Sequence, residues 1–167
     1  IQDLIKEYSL VGGTALSLQI NKRLSEDLDF CIWQEKINPD KQHEIKWFEI
    51  EKVLKQKFKS VSRDILDLQQ INFLANDVKI TFFVRANVDS TIIQTGKKIN
   101  NLNIASVESI GAMKLELLQR RNTFRDYYDI FCILKEGYSF LEMIDKAIIY
   151  SSKKLKVKSL LSILAKA

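Results

Sequence analysis

Residues Leu10 to Trp33 read LVGGTALSLQINKRLSEDLDFCIW, and this stretch decides the fold because it packs a strand, a glycine turn, a helix and a second strand into 24 residues. Ser9 to Val11 form a short apolar strand that runs into Gly12 and Gly13. Glycines there allow a positive φ and let a ligand approach the backbone closely. Thr14 to Asn21, with Ala15, Leu16, Leu18 and Ile20, read as a helix whose first-turn N–H groups suit an anion. In Asp27-Leu28-Asp29-Phe30 the strand period of two puts both acids on one face and Leu28, Phe30 and Ile32 on the other.

Same-face neighbours on a strand lie roughly 6.5 to 7 Å apart. Two flexible carboxylates at that spacing can converge on Mg²⁺, or on a pair of ions about 3.5 to 4 Å apart. The same pattern fits an edge strand with solvated acids opposite a packed face. The Gly-Gly turn one helix upstream, with Arg23 and Ser25 just before the acids, favours the binding reading.

On Gly12, Gly13, Thr14, Arg23, Ser25, Asp27 and Asp29 the sequence resembles the AbiEii/AbiGii-type nucleotidyltransferases, toxins of abortive-infection and toxin–antitoxin systems within the DNA polymerase β-like superfamily. A second block, SVESIGAMKLELLQRRNTFRDYYDIFCIL from Ser106 to Leu134, resembles that family's Met-Lys, Arg, Arg-Asp, Asp pattern at Lys114, Arg121, Arg125, Asp126 and Asp129.

The resemblance implies an α/β (α+β) nucleotidyltransferase fold, with a small mixed sheet lobe over residues 1–105 and a helical lobe over 106–167. It implies Mg²⁺, with Mn²⁺ as a substitute, held by Asp27 and Asp29, and a triphosphate held by Gly12, Gly13 and Thr14 with Arg23, Ser25 and Arg121. Lys114 and Asp126 are the further catalytic candidates. The implied reaction moves a nucleoside monophosphate from a nucleoside triphosphate to a hydroxyl acceptor, a tRNA by resemblance, and implies a cognate antitoxin. A small-molecule nucleotidyltransferase and a nucleotide-binding module without turnover stand as alternatives. The second is motivated by Thr81, which occupies the place in VKITFFV where the superfamily commonly carries a third carboxylate.

Each residue of the second block also has a purely structural account. Thr123 and Asp126 have capping-box spacing, and Arg125 and Asp129 have that of an i, i+4 ion pair. Lys114 and Arg121 are seven residues apart and share a helix face, from which they could clamp a triphosphate. Arg120 and Arg125 are weaker candidates, and Tyr127 or Tyr128 could pack or stack on a base.

Composition fits a folded, soluble chain: 46% hydrophobic and 28% charged residues, with one Pro and five Gly. No apolar run reaches membrane-span length and the start lacks a signal-peptide pattern, so a cytoplasmic protein with no membrane partner is expected. Cys31 and Cys132 read as free buried thiols, and the single histidine, His43, rules out a zinc cluster or a His-based triad. The net charge of +5 divides into −1 for residues 1–145 and +6 for the remainder, where all six bases are lysines. Val157, Leu160, Leu161 and Leu164 mark an amphipathic helix there, with Lys153, Lys154, Lys156 and Lys158 beside it. Such a face is either simply solvated or a loose phosphate contact.

The remaining pattern predicts a leading helix over Ile1 to Tyr8, a polar loop from Gln34 to His43 containing Pro39, and a helix over Glu44 to Lys57 with Ile45, Phe48, Val53 and Leu54 inward. A strand near Lys59 to Arg63 and a hairpin turning at Asn76-Asp77 follow. Helices are predicted from Ser106 to Arg121, from Phe124 to Lys135 and from Ser139 onward.

Overall fold

The computed structural model describes residues 4–22, 24–34, 44–67, 69–86, 95–121 and 123–166. Arg23, Pro39, His43 and the loop 35–43 lie outside the described residues, as does the beginning of the expected leading helix.

The described chain forms seven strands and six helices. They are β1 (Ser9–Val11), α1 (Gly12–Ile20), β2 (Leu28–Gln34), α2 (Trp47–Lys57), β3 (Val61–Asp67), β4 (Gln70–Ala75), β5 (Val78–Ala86), β6 (Thr95–Ile99), β7 (Leu102–Ala105), α3 (Val107–Leu118), α4 (Phe124–Lys135), α5 (Phe140–Tyr150) and α6 (Val157–Leu164). One mixed sheet runs in the order β3-β4-β5-β2-β1-β7-β6. Strand β2 lies antiparallel to β1 and parallel to β5, which seats it near the middle with both edges paired.

Alternation along β2 and β5 sorts the faces. Leu28, Phe30, Ile80 and Phe82 turn to α2, where Ile50 and Leu54 cover them, and Phe30 stacks on Phe82 with centroids 5.0 Å apart. The opposite face carries Asp29 and Cys31 beside Thr81 and Phe83, and helices α3 and α5 pack across it. Helix α3 is the centre of the helical layer: ten of its twelve residues are buried, and it touches α1, α4, α5 and α6.

Local chemistry sets most element ends. Asn21 closes α1 in the left-handed region with φ 51°. Asn76 and Asp77 both have positive φ, 45° and 68°, giving the tight two-residue turn that keeps β4 and β5 in twisted register. Ser106 and Ser139 cap α3 and α5 by accepting from the N–H groups of Ser109 and Glu142. Gly137 ends α4 at φ +90°.

Three expectations are corrected. Leu4 to Glu7 form turns and not a helix, with the Tyr8 N–H donating to the Ile5 carbonyl at 3.0 Å. Helix α2 starts at Trp47 and buries Ile50 and Leu54, while Phe48 is 66% exposed. Strand β3 extends to Asp67, so β3, β4 and β5 make a full antiparallel meander. The hairpin β6–β7, not predicted from the sequence, extends the sheet through β7, which pairs parallel with β1 at Ser9 and Leu10.

Candidate active site

Asp29 is the second residue of β2, paired with Val11 and Thr81, and Asp27 lies just before the strand begins at Leu28. The Thr14 hydroxyl donates to the Asp27 carbonyl oxygen, so the first turn of α1 is tied to the acidic segment. Gly12 opens α1 with φ +71°, and a Cβ built on it would fall 2.5 Å from Oδ2 of Asp29. The missing side chain at residue 12 therefore leaves the space that the Asp29 carboxylate occupies.

Asp29 is half-buried while Asp27 is exposed. Burial, and then the neighbouring Asp27 charge, push the Asp29 carboxyl above the ordinary aspartate range. The Thr81 hydroxyl, Lys114 and Lys79 pull it partly back. Thr81 is the register partner of Asp29 across β2 and β5, so it holds the position where a third carboxylate was sought. Among the described residues no three His, Cys, Asp or Glu side chains gather as a metal cluster.

Across the cleft stands a cationic wall built on α3 and α4. Lys114 Nζ lies 2.8 Å from Asp126 Oδ1 and 2.8 Å from Asp129 Oδ2, both carboxylates having no exposed surface. Arg121 grips Asp126 with two bonds, Nε to Oδ2 at 2.9 Å and an NH2 group to Oδ1 at 3.1 Å. Thr123 Oγ1 adds a third donor at 2.6 Å from Oδ2. Burial raises the Asp126 pKa, but the bonds from Arg121, Lys114 and Thr123 outweigh it and hold the carboxyl down at about 2.

The capping-box account of Thr123 and Asp126 gives way to this network, since no side-chain bond caps α4. Asp129 is engaged by Lys114, from the neighbouring helix, and Arg125 turns to the cleft.

The cleft between the acidic strand and this wall encloses about 440 Å³. Of the residues singled out in the sequence, Gly13, Ser25, Asp27, Asp29, Lys114, Arg121 and Asp126 line it together. Gly12 lies behind Asp29, Thr14 anchors the Asp27 backbone, and Arg23 lies outside the described residues. Lys79, Thr123, Phe124 and the weaker candidate Arg125 complete the lining. Lys79 was legible in principle: it precedes Thr81 by two on β5 and so shares its face. Arg120 lies elsewhere, beside Glu116 in a second recess with Arg85 and Tyr150.

The chemistry of this donor set suits a hard divalent cation. Burial and the neighbouring Asp27 charge raise the proton affinity of Asp29, a bias that a cation would offset, and Mg²⁺ commonly takes one or two carboxylates and fills its remaining positions with water and phosphate.

The family profile described as "Nucleotidyl transferase AbiEii toxin, Type IV TA system" matches residues 2–163. An uncharacterized protein of Aquifex aeolicus (strain VF5), aq_aa25, is 29% identical over 143 residues, covering 84% of this chain. The chain spans 64% of the length of that relative. Among solved structures, a putative nucleotidyltransferase from H. pylori aligns over 98% of this chain and 77% of its own, with TM-score 0.55 and 20% identity. JHP933 from Helicobacter pylori aligns over 97% and 84%, with TM-score 0.54 and 19% identity. The Megavirus polyadenylate synthase aligns over 81% of this chain and 30% of its own, with TM-score 0.51 and 17% identity. At these identities the structural likeness speaks for a shared nucleotidyltransferase fold.

Proposed function

The chain belongs to the AbiEii nucleotidyl transferase toxin family, and from that premise we propose that it moves a nucleoside monophosphate from a nucleoside triphosphate to a hydroxyl of RNA, with release of pyrophosphate. The observation that carries this reading is the meeting, in one cleft, of the Asp27–Asp29 pair with Lys79, Arg121 and Arg125.

Asp27 and Asp29 would hold Mg²⁺, or Mn²⁺ in its place. When bound, the ion supplies charge neutralisation at the phosphate oxygens and favours the ionised acceptor hydroxyl. The chain's own groups do the rest. Gly13 and Ser25 let the triphosphate approach the backbone, and Lys79, Arg121 and Arg125 offset the charge that grows on the pyrophosphate as it leaves. The acceptor oxygen bonds to the α-phosphorus, the bond from that phosphorus to pyrophosphate breaks, and the hydroxyl proton passes to water. Lys114 and Asp126 hold the cationic wall in place from behind.

An RNA acceptor, a tRNA by the family resemblance, is supported by the basic C-terminal segment. Leu155 and Leu160 are buried, and the Gln119 side chain donates to the Lys156 carbonyl at 2.7 Å and accepts from its N–H at 3.3 Å. Lys153, Lys154, Lys156 and Lys158 are thus an ordered exposed surface, pinned two residues from Arg121, and suited to a phosphodiester backbone. The biological reading that follows is a growth-inhibiting toxin acting in the cytoplasm and restrained by a cognate antitoxin. No helix among the described residues is long and apolar enough to cross a membrane. One observation favours a module that binds nucleotide without turnover: Thr81, beside Asp29, adds no third carboxylate to the Asp27–Asp29 pair.

The test incubates the chain with Mg²⁺, each radiolabelled nucleoside triphosphate in turn and total tRNA, beside a D27A/D29A variant. Label on RNA that disappears in the variant supports the assignment and names the base. Nucleotide binding without pyrophosphate release would favour the inactive module, and label on a small molecule alone would remove RNA as the acceptor.

A further inference from the structure

The cleft continues outward along α4. Phe124, the first residue of that helix, lines the cleft yet is 80% exposed. Its ring lies over Tyr128 one turn on, with centroids 6.2 Å apart and planes at 23°. Phe131, a further turn away, is 53% exposed, and the Lys135 ammonium sits 5.6 Å from its ring centroid. The spacing i, i+4, i+7 aligns the three rings on one face of α4. Ile130 and Ile133, on the other face, supply the packing into the core.

Phe124 and Phe131 add little to the core, because much of their surface stands in solvent, while Tyr128 between them is 37% exposed and donates its hydroxyl to the Lys22 carbonyl at 3.4 Å. Contiguous exposed apolar surface on a soluble domain marks a place where something binds. Two features favour nucleobases as the occupant. The row begins inside the cleft that holds the two aspartates, so a strand lying along it would bring its end to the reacting centre. Its charged neighbours Arg125 and Lys135 are cations, and Glu136 at its far end is paired with Lys22 at 3.1 Å. Aromatic rings alternating with positive charge suit single-stranded nucleic acid, since every base offers a π-face to stack on.

Resting on the reading of the cleft as an RNA-directed nucleotidyltransferase, we propose that Phe124, Tyr128 and Phe131 form a stacking track for the unpaired 3′ bases of the acceptor. Phe124 receives the terminal bases at the cleft mouth, and Phe131 receives bases further back.

The test measures anisotropy of a labelled oligoribonucleotide with the full chain, as wild type, F124A and F131A, and compares a single strand with a blunt duplex. Parallel kinetics separate KM for the acceptor from KM for the nucleotide. The expected result is preference for the single strand, a loss of about tenfold in affinity with each ring removed, within the range that base stacking gives, and a rise in KM confined to the acceptor. Equal affinity for strand and duplex overturns the track. So does affinity within twofold of wild type in both variants, which would leave the row to a protein partner. A KM rise confined to the nucleotide in F124A also overturns it, by placing Phe124 against the incoming base. Because the binding measurement needs no turnover, ring-dependent RNA binding without transfer would defeat the transferase reading alone. Transfer with ring-independent binding would defeat the track alone.

Discussion

Gly12→Ala separates the conformational demand of the Gly-Gly turn from its steric demand. At φ +71° an alanine suffers the left-handed penalty, about 1–2 kcal/mol, partly offset by the lower entropy of the unfolded chain. The net loss of stability is about 1 kcal/mol. The larger effect falls on the site, because the new Cβ would stand 2.5 Å from Asp29 Oδ2, where ordinary contact begins at 3.4 Å. The carboxylate must then retreat by about 0.9 Å, beyond the ~0.5 Å within which catalytic groups keep their geometry. A displacement of that size is expected to cost about 10²-fold in rate. Gly137→Ala is the matched control, with φ +90° and nothing within 4 Å of its added Cβ. Urea unfolding should show similar losses for the two variants. Single-turnover transfer should fall only in G12A, with a raised Mg²⁺ requirement. Transfer in G12A within threefold of G137A would refute the idea that Gly12 clears room for Asp29.

Three further outcomes are expected. Lys114→Met takes the ammonium away from two fully buried carboxylates and should cost about 3–5 kcal/mol in urea unfolding, whereas R121A, at a half-exposed residue, should lose about 1 kcal/mol yet slow transfer by about 10²-fold; equal losses of stability would place Arg121 in the structural network alone. T81D brings a further acid against Asp29, so it should destabilise the metal-free chain by about 3 kcal/mol and make its Tm rise with added Mg²⁺; a Tm indifferent to the ion would contradict the placement of the metal. Asp126, held down at about 2 against an ordinary 3.8, contributes about 2 kcal/mol that is present above pH 4 and lost as pH falls toward 2; the stability difference between wild type and D126N should shrink across that window, and a constant difference would show that its network is not charge-assisted.

The parts of the molecule legible in the sequence are those whose physics is local. Asn76-Asp77 had to turn, Gly137 had to stop α4, and Asp27 and Asp29, two residues apart at the start of β2, line one cleft although only Asp29 is in the strand. The hairpin β6–β7 was not legible, because TGKKI and LNIA are short, largely polar strands whose place depends on pairing with β1, about ninety residues earlier. Helix α2 starts three residues later than expected and turns Ile50 and Leu54 inward, with Phe48 in solvent. Phe124 carried a weak signal, an aromatic residue at the first position of a helix, and its exposure became visible only with the cleft in place.

Lys114 shows where periodicity stops being informative about chemistry. Its seven-residue spacing from Arg121 predicts both cations on one helix face, an equal pair aimed at a triphosphate, but α3 ends at Leu118 and leaves Arg121 in the connection to α4. The packing of α4 against α3 breaks that equality, since Asp126 and Asp129 enclose the Lys114 ammonium while Arg121 keeps about half its side chain in solvent. A buried lysine between two carboxylates has little charge left to lend to phosphate, and separating it from them would cost more than the contact returns. Arg121 spends one edge of its guanidinium on Asp126 and retains donors for a ligand. Lys79 and Arg125, exposed on β5 and α4, then supply further positive charge to the same cleft. The cationic wall is therefore a buried ion cluster with an exposed outer layer, and substrate affinity should follow the outer layer while stability follows the cluster.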